Sequence, residues 1–159
     1  MALRKPLVIV SGKVQQLQAG DTLSGPFEEI EGQAMTSGEA GGIVIGSPVY
    51  CSAVDTVKKG QANAAGTVEL IGLAQASIAT AGVGYIQTAG LLAATTGEWD
   101  AVAGTTGGLA FGVVYYLDPS TAGMITATAP TSVGQYVVRV GRATSTTELV
   151  IDIGQPVLL

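Results

Sequence analysis

Residues 136–153 read YVVRVGRATSTTELVIDI, and this stretch decides the fold class. Two runs rich in β-branched and aliphatic residues, 136–143 and 148–153, enclose the polar segment 144–147 (TSTT), a pattern typical of a β-hairpin. In the first run the side chains of Val138 and Val140 point to one face, and those of Val137 and Arg139 point to the other. One face of the predicted sheet is therefore buried, and the opposite face is only partly exposed to water.

Short β-favouring runs separated by Gly, Pro, Asp and Ser recur along the whole chain. We expect tight hairpins around Ser11-Gly12 and Ala89-Gly90, and a type I turn at residues 118–120 (DPS). Residues 27–39 (FEEIEGQAMTSGE) show no clear period, which indicates a loop or a boundary between segments. The further predicted strands are 7–10, 14–17, 43–45, 48–52, 68–74, 85–88, 91–93, 113–117 and 124–128.

One segment has a helical signature. Residues 95–98 (TTGE) fit the S/T-x-x-E capping box, and the turn that follows Trp99 ends before Gly104. We expect Trp99 to anchor this turn in the core. Because helical periodicity is otherwise missing, the sequence predicts an all-β protein, either a small barrel or a sandwich, with one short helical turn. Its predicted organisation is an extended N-terminal arm over residues 1–40 and a β-domain over residues 41–159.

The composition indicates a protein that assembles with other chains. Charged residues make up 12% of the sequence, about half of the roughly 25% usual in soluble domains. A monomer with so few charges exposes a poorly solvated surface, and other subunits would cover it. The seven Lys and Arg form no basic run, so we expect no nucleic-acid partner. No apolar stretch reaches 18 residues and no signal peptide is evident, so we expect no membrane partner and synthesis in the cytoplasm.

Residues with catalytic or metal-binding chemistry are few. Histidine is absent, which removes Ser–His and Cys–His nucleophile pairs. Glu98 and Asp100 beside Trp99 are the one pair that suits a carbohydrate-active enzyme, and the alternative is a capped helical turn. The acidic residues at 28, 29 and 31 lack the spacing of a calcium loop and indicate a solvated loop. We therefore predict no enzyme, no catalytic residue, no cofactor and no metal.

Cys51 is the only cysteine, so an intrachain disulfide is impossible. Its flanking residues, Tyr50 and Ser52, favour a buried thiol that packs in a strand as a small hydrophobic group. A reactive thiol is the alternative.

Several segments of the second half resemble a known family. They are residues 115–123 (YYLDPSTAG), 129–131 (APT), 134–135 (GQ), 140–143 (VGRA) and 146–149 (TTEL). Together they are similar to a C-terminal β-module of structural proteins of tailed bacteriophages, found in capsid decoration (cement) proteins and in head or tail fibre proteins. Residues 46–50 (GSPVY), 72–74 (GLA) and 87–90 (QTAG) resemble the opening strands of the same module. The segments 5–10 and 15–23 resemble a stretch that precedes this module, so the resemblance covers nearly the whole chain.

The resemblance implies a structural role on the virion, at the capsid surface, often as a homotrimer. The absence of coiled-coil heptads or a fibrous repeat favours a decoration protein that binds the major capsid protein and stabilises the shell. The alternative is a small head or tail fibre protein that contacts the host surface. We expect a homo-oligomer, a trimer rather than a dimer, and an N-terminal arm that contributes strands by β-augmentation.

The predicted interface residues fall into three groups. Arm contacts would be made by Leu7, Val8, Ile9, Val10, Val14 and Leu17. Tyr115 and Tyr116 are strand aromatics that either cover a sheet or contact another subunit. The tail residues Val157, Leu158 and Leu159 form either a subunit contact or a final core strand.

Overall fold

The computed structural model describes residues 32–159 in full, together with the backbone of two strands at 7–10 and 13–16. Most elements of the described residues are β-strands, and the one α-helix among them, α1, spans Thr96–Ala103, so the all-β prediction is confirmed. The helix has eight residues and is longer than the single turn that we expected. The strands in chain order are β1 Leu7–Val10, β2 Lys13–Gln16, β3 Gly32–Ser37, β4 Pro48–Ala53, β5 Thr56–Lys59, β6 Leu70–Ala74, β7 Val83–Gln87, β8 Gly90–Ala93, β9 Val114–Leu117, β10 Ile125–Thr126, β11 Tyr136–Val137, β12 Arg139–Ala143, β13 Glu148–Ile151 and β14 Val157–Leu158.

The first half of the described chain forms a closed five-stranded barrel with the strand order β3-β5-β4-β6-β7. β3 closes it by pairing parallel to β5 and antiparallel to β7. The interpretation of residues 27–39 as a loop was therefore wrong for residues 32–37, and the barrel begins before residue 41. Only Met35 and Ser37 of this strand are buried, so its sequence shows little alternation of apolar and polar residues. The strand forms because its two neighbours, β5 and β7, provide backbone hydrogen bonds. The barrel core consists of Met35, Ile43, Val49, Val57, Ala74, Ile78 and Ile86.

The predicted hairpin around Ala89-Gly90 is wrong, although both of its strands exist. β7 pairs with β3 and β6 in the barrel, and β8 pairs with β13 in a second sheet. The chain thus passes from one sheet to the other at this point, and Gly90 takes a positive φ of 85° there. The predicted strand at 43–45 is also wrong, because Ile43 makes only an isolated bridge to Ile78.

The second half forms an antiparallel five-stranded sheet with the order β10-β9-β12-β13-β8. The β12–β13 hairpin is the one that residues 136–153 predict, with residues 144–147 at its tip. The core under this sheet also takes in Ala62, Val68 and Leu73 from the first half, so the two halves share apolar packing. The other buried members of this core are Leu92, Trp99, Val102, Leu109, Tyr115, Leu117, Ile125, Val138, Val140, Ala143, Leu149 and Ile151.

Helix α1 begins as its sequence predicts. The Thr95 hydroxyl accepts a hydrogen bond from the Glu98 N–H, and the Glu98 carboxylate accepts one from the Thr95 N–H, which completes the capping box. Gly104 ends the helix in the left-handed conformation. Trp99 is fully buried, as expected, and its indole Nε1–H donates to the Thr147 carbonyl at 2.9 Å. The helix is therefore fixed to the tip of the β12–β13 hairpin.

Two further pairs of strands lie outside the barrel and the five-stranded sheet. β1 and β2 pair antiparallel with Val10 opposite Lys13, which confirms the predicted N-terminal pairing. β11 and β14 form a second two-stranded sheet, which we call the C-terminal ribbon. The arm predicted over residues 1–40 stays a prediction for residues 1–31. In the described part of the chain, no helix is long and apolar enough to cross a membrane.

Candidate interaction surfaces

The outer face of the five-stranded sheet carries a row of side chains that runs across four strands. Leu91 on β8 lies opposite Val150 on β13, Val150 lies opposite Arg142 on β12, and Arg142 lies opposite Val114 on β9. Leu91 on the edge strand β8 is 50% exposed, and Val150 on the interior strand β13 is 37% exposed. Together with Tyr116 and Arg139, these four residues define what we call the sheet face.

A β-bulge brings two arginines to the sheet face. Arg139 and Arg142 are three residues apart, so strict alternation would place them on opposite faces. The pairing of β12 with β9 shifts between Arg139 and Gly141, and both arginines are consequently exposed while Val140 is buried. Gly141 permits this close approach, because a Cβ there would lie only 2.3 Å from the Val150 carbonyl oxygen.

Hydrogen bonds to the protein hold both guanidinium groups close to the sheet. Arg139 forms an ion pair with the Asp152 carboxylate at 2.7 Å, and its Nε–H donates to the Asp152 carbonyl. Arg142 donates to the Gly112 carbonyl at 2.7 Å. Each side chain is thereby ordered before any partner arrives, which reduces the entropy lost when a contact forms.

The C-terminal ribbon is the second apolar surface. Val157, Leu158 and Leu159 are 56%, 60% and 41% exposed, and Val133 in the neighbouring loop is 94% exposed. The loop and the tail are joined by hydrogen bonds from the Gly134 N–H to the Leu159 carbonyl and from the Leu159 N–H to the Gln135 carbonyl. The tail is thus a strand but not a core strand, so that alternative is wrong, and its role as a subunit contact stays a prediction.

The remaining predicted interface residues separate into different environments. Tyr115 is 1% exposed, and its hydroxyl accepts a hydrogen bond from the Ala110 N–H, so it is a core residue and we withdraw it from the interface. Tyr116 lies on the sheet face and stays a candidate. Leu7–Val10 form β1 and Val14 lies in β2, whereas Leu17 lies outside the described residues.

Glu98 and Asp100 have structural roles as hydrogen-bond acceptors. Glu98 belongs to the capping box, and the pKa of its carboxyl is lowered mainly by the hydrogen bond from the Thr95 N–H. Asp100 accepts hydrogen bonds from the Gly108 N–H, the Gly107 N–H and the Thr105 hydroxyl. The Gly108 contact is the largest cause of the lowered pKa of Asp100. Both groups are held in the ionised form, which is the opposite of what a general acid requires.

Cys51 is exposed, so the prediction of a buried thiol is wrong. It lies in the second half of β4, where the burial pattern changes from buried to exposed as the strand leaves the barrel core. The pairing with β5 is also irregular there, between Cys51 and Ala53. In the described part of the chain, no group of three or more Cys, Asp or Glu side chains is placed to hold a metal ion.

Comparisons with known proteins give no relative for this chain: no family model, no curated protein and no solved structure matches it.

The sequence alone did not identify Leu91, Val150, Arg139 or Arg142 as surface candidates. Leu91 and Val150 have the sequence character of core residues, and only their pairing across β8 and β13 places them side by side on the outer face. The two arginines became candidates through the bulge, which has no reliable sequence signal beyond Gly141.

Proposed function

We propose that this protein is a structural virion protein that binds the capsid surface and stabilises the shell. The sheet face carries the proposal. It presents aliphatic side chains in the centre, a tyrosine and two ordered arginines, on a rigid antiparallel sheet. Aromatic residues and arginine are enriched at protein–protein interfaces, and lysine and glutamate are depleted, which is the composition found here.

The resemblance supplies the class of partner. Two of the segments that resemble the phage module, residues 115–123 and 140–143, contribute Tyr116 and Arg142 to the sheet face. Two of the six residues of the sheet face therefore come from segments that resemble decoration and fibre proteins. The proposed partners are the major capsid protein and further copies of this chain, with a trimer favoured over a dimer.

The surface also suits a protein that braces a shell. Adjacent capsid subunits are held together when one rigid body contacts both, and a hydrogen-bonded sheet with a shared core resists deformation. In the described residues, the carboxylates of Glu98 and Asp100 accept hydrogen bonds that cap helix α1 and the loop after it. The sheet face and the C-terminal ribbon are therefore the surfaces that we consider for partner binding.

The test uses capsids assembled without this protein, mixed with purified protein and sedimented. Leu91→Glu and Tyr116→Ser should each weaken binding by about tenfold or more, because each removes an apolar or aromatic contact of the sheet face. Val83→Glu is the matched control. Val83 is an exposed valine of the barrel that is not part of the sheet face, so this variant should bind as the wild type does.

Cryo-electron microscopy of decorated particles gives the location. Density repeated over the shell, with the sheet face toward the capsid, is the expected result. Density confined to the tail or to one vertex would overturn the decoration proposal and support the fibre alternative. Equal loss of binding in the Val83→Glu control would show that the sheet face is not the contact.

A further inference from the structure

Most strand edges in the described part of the chain are closed. The barrel has no edges because its strands form a complete ring. At the outer edge of β8, the Leu91 carbonyl accepts a hydrogen bond from the Gln87 side-chain amide at 3.1 Å. Among the described strands, β14 and the β1–β2 hairpin each have an edge that no other described strand pairs with.

The open edge of β14 offers one donor and one acceptor. Val157 lies opposite Val137, and the Leu159 N–H donates to the Gln135 carbonyl, so residues 157 and 159 direct their backbone groups toward β11. Because these directions alternate along an antiparallel strand, the N–H and C=O of Leu158 point away from β11. The edge is apolar and uncharged, and it lacks the lysines that usually protect an exposed edge strand.

The β1–β2 hairpin has the complementary need. It is a two-stranded sheet that pairs with no other described strand, and a two-stranded sheet alone is only marginally stable in water. Its first strand reads LVIV, which matches the apolar edge of β14.

The opposite net charges of residues 1–16 and residues 17–159 favour contact between the hairpin of one copy and the rest of another. Residues 1–16 contain Arg4, Lys5 and Lys13 and no acid, which gives this segment a charge of +3. Of the seven cations of the chain, four therefore remain for residues 17–159 against all twelve acids, which gives a charge of −8. The cationic segment 1–16, which contains the hairpin, is attracted to the acidic remainder of a neighbouring copy, and this attraction is screened by salt.

We propose that the β1–β2 hairpin of one copy adds to the open edge of β14 in a second copy. A backbone carbonyl of the hairpin strand accepts a hydrogen bond from the Leu158 N–H, and a backbone N–H of the same strand donates to the Leu158 carbonyl. The C-terminal ribbon thereby becomes a four-stranded sheet. Each copy gives one hairpin and accepts one, so the contact is heterologous, and a rotation of one third of a turn between copies closes it into the proposed trimer. The proposal rests on the homo-oligomer of the proposed function and names the contact that forms it.

The experiment measures the mass of the purified full-length protein by sedimentation equilibrium, without capsids. Leu158→Pro removes the outward N–H and leaves the Val157 and Leu159 N–H groups in place, and Ile9→Pro disrupts the hairpin strand. Each should raise the dissociation constant of the oligomer by about tenfold or more. Leu158→Ile and Ile9→Val are the matched controls, since they keep the backbone donor and the apolar side chain, and both should assemble as the wild type does.

Mixing the two proline variants tests the direction of the contact. The Leu158→Pro chain keeps an intact hairpin and the Ile9→Pro chain keeps an intact edge, so an equimolar mixture should form dimers although neither variant does so alone. A mixture that stays monomeric would overturn the proposal. Full assembly of Ile9→Pro would also overturn it, because the oligomer would then form without the hairpin strand.

Two further readouts keep the proposal separate from folding and from capsid binding. Hydrogen exchange of the Leu158 amide should slow when the wild-type oligomer forms, and unchanged exchange would contradict the contact even if a proline variant misfolded. Capsid sedimentation of the Leu158→Pro monomer then tests the proposed function by itself. If the Leu158→Pro monomer still binds capsids, the proposed function is supported although self-association is lost. If the sheet-face variants lose capsid binding but still self-associate, the hairpin contact is supported independently of capsid binding.

Discussion

Replacement of Gly46 by alanine should destabilise the protein strongly, because the residue combines a positive φ with a close contact to Trp99. Gly46 has a φ of 80° and lies in the turn before β4. A Cβ at this position would lie 2.9 Å from Cζ3 and 3.3 Å from Cη2 of the buried indole. The indole is held by its hydrogen bond to Thr147 and cannot move aside without breaking that bond.

The magnitude follows from two separate costs. A non-glycine residue in the left-handed region costs roughly 1–2 kcal/mol, and a methyl group forced into a well-packed core costs roughly 1–3 kcal/mol. We therefore expect Gly46→Ala to lower the free energy of unfolding by about 3 kcal/mol. For a domain of this size that corresponds to a fall in Tm of about 6–12 °C.

Gly112→Ala is the matched control. Gly112 has a φ of 78°, nearly that of Gly46, but a Cβ there would meet no heavy atom within 4 Å. Its alanine variant therefore has the conformational cost alone, roughly 1–2 kcal/mol. The difference between the two variants isolates the contact with Trp99, the residue that ties α1 and the hairpin tip to the turn before the barrel strand β4.

Urea denaturation followed by tryptophan fluorescence is the assay, because Trp99 is the only tryptophan and every change in emission reports on this site. Circular dichroism of the strands supplies a second probe of the same transition. Equal destabilisation by Gly46→Ala and Gly112→Ala would refute the reasoning, since it would mean that the indole does not pack on Gly46.

Three further outcomes follow from the described contacts. Thr95→Ala should lower the free energy of unfolding by about 1 kcal/mol in urea denaturation through loss of the helix cap, and Thr95→Ser should be nearly neutral. The carboxyls of Glu98 and Asp100 have pKa values below their ordinary 4.5 and 3.8. Their contribution is therefore present above those values and lost as pH falls through the lower folded-state pKa. Asp100→Asn should accordingly show a shallower loss of Tm below about pH 5, and an unchanged slope would count against this contribution. Cys51 should react with a thiol reagent in the folded protein as fast as in urea, with one thiol per chain, and protection until unfolding would contradict its exposure.

The elements that the sequence predicted well are those whose determinants are local. The β12–β13 hairpin needs only two apolar runs and a polar tip, and α1 begins where Thr95 and Glu98 cap each other within four residues. Helix capping and hairpin closure are formed by neighbours in the chain, so their signals remain readable without the rest of the fold.

Strands whose partners are distant in sequence were harder to predict. β3 has the weakly β-favouring sequence GQAMTS and becomes a strand because β5 and β7 lie on either side of it. The two strands around Ala89-Gly90 are adjacent in the chain, yet each finds its partners elsewhere, and adjacency alone favoured a hairpin. Strands that follow one another in the chain often pair, but not always. Here the two strands do not pair because each packs over a different apolar core.

The sheet face illustrates why a surface is harder to predict than a core. A strand periodicity of two assigns Arg139 and Arg142 to opposite faces of the sheet. The sequence pattern alone therefore predicts either that one arginine is buried or that the segment is not a strand. The bulge between Arg139 and Gly141 adds one residue to β12 relative to β9, and that single shift returns both arginines to solvent while keeping Val140 in the core. Removing the shift would force a guanidinium under the sheet or expose apolar residues, either of which costs several kcal/mol. The bulge therefore keeps Val140 in the core and places both arginines on the sheet face, through which we propose that the protein binds the capsid.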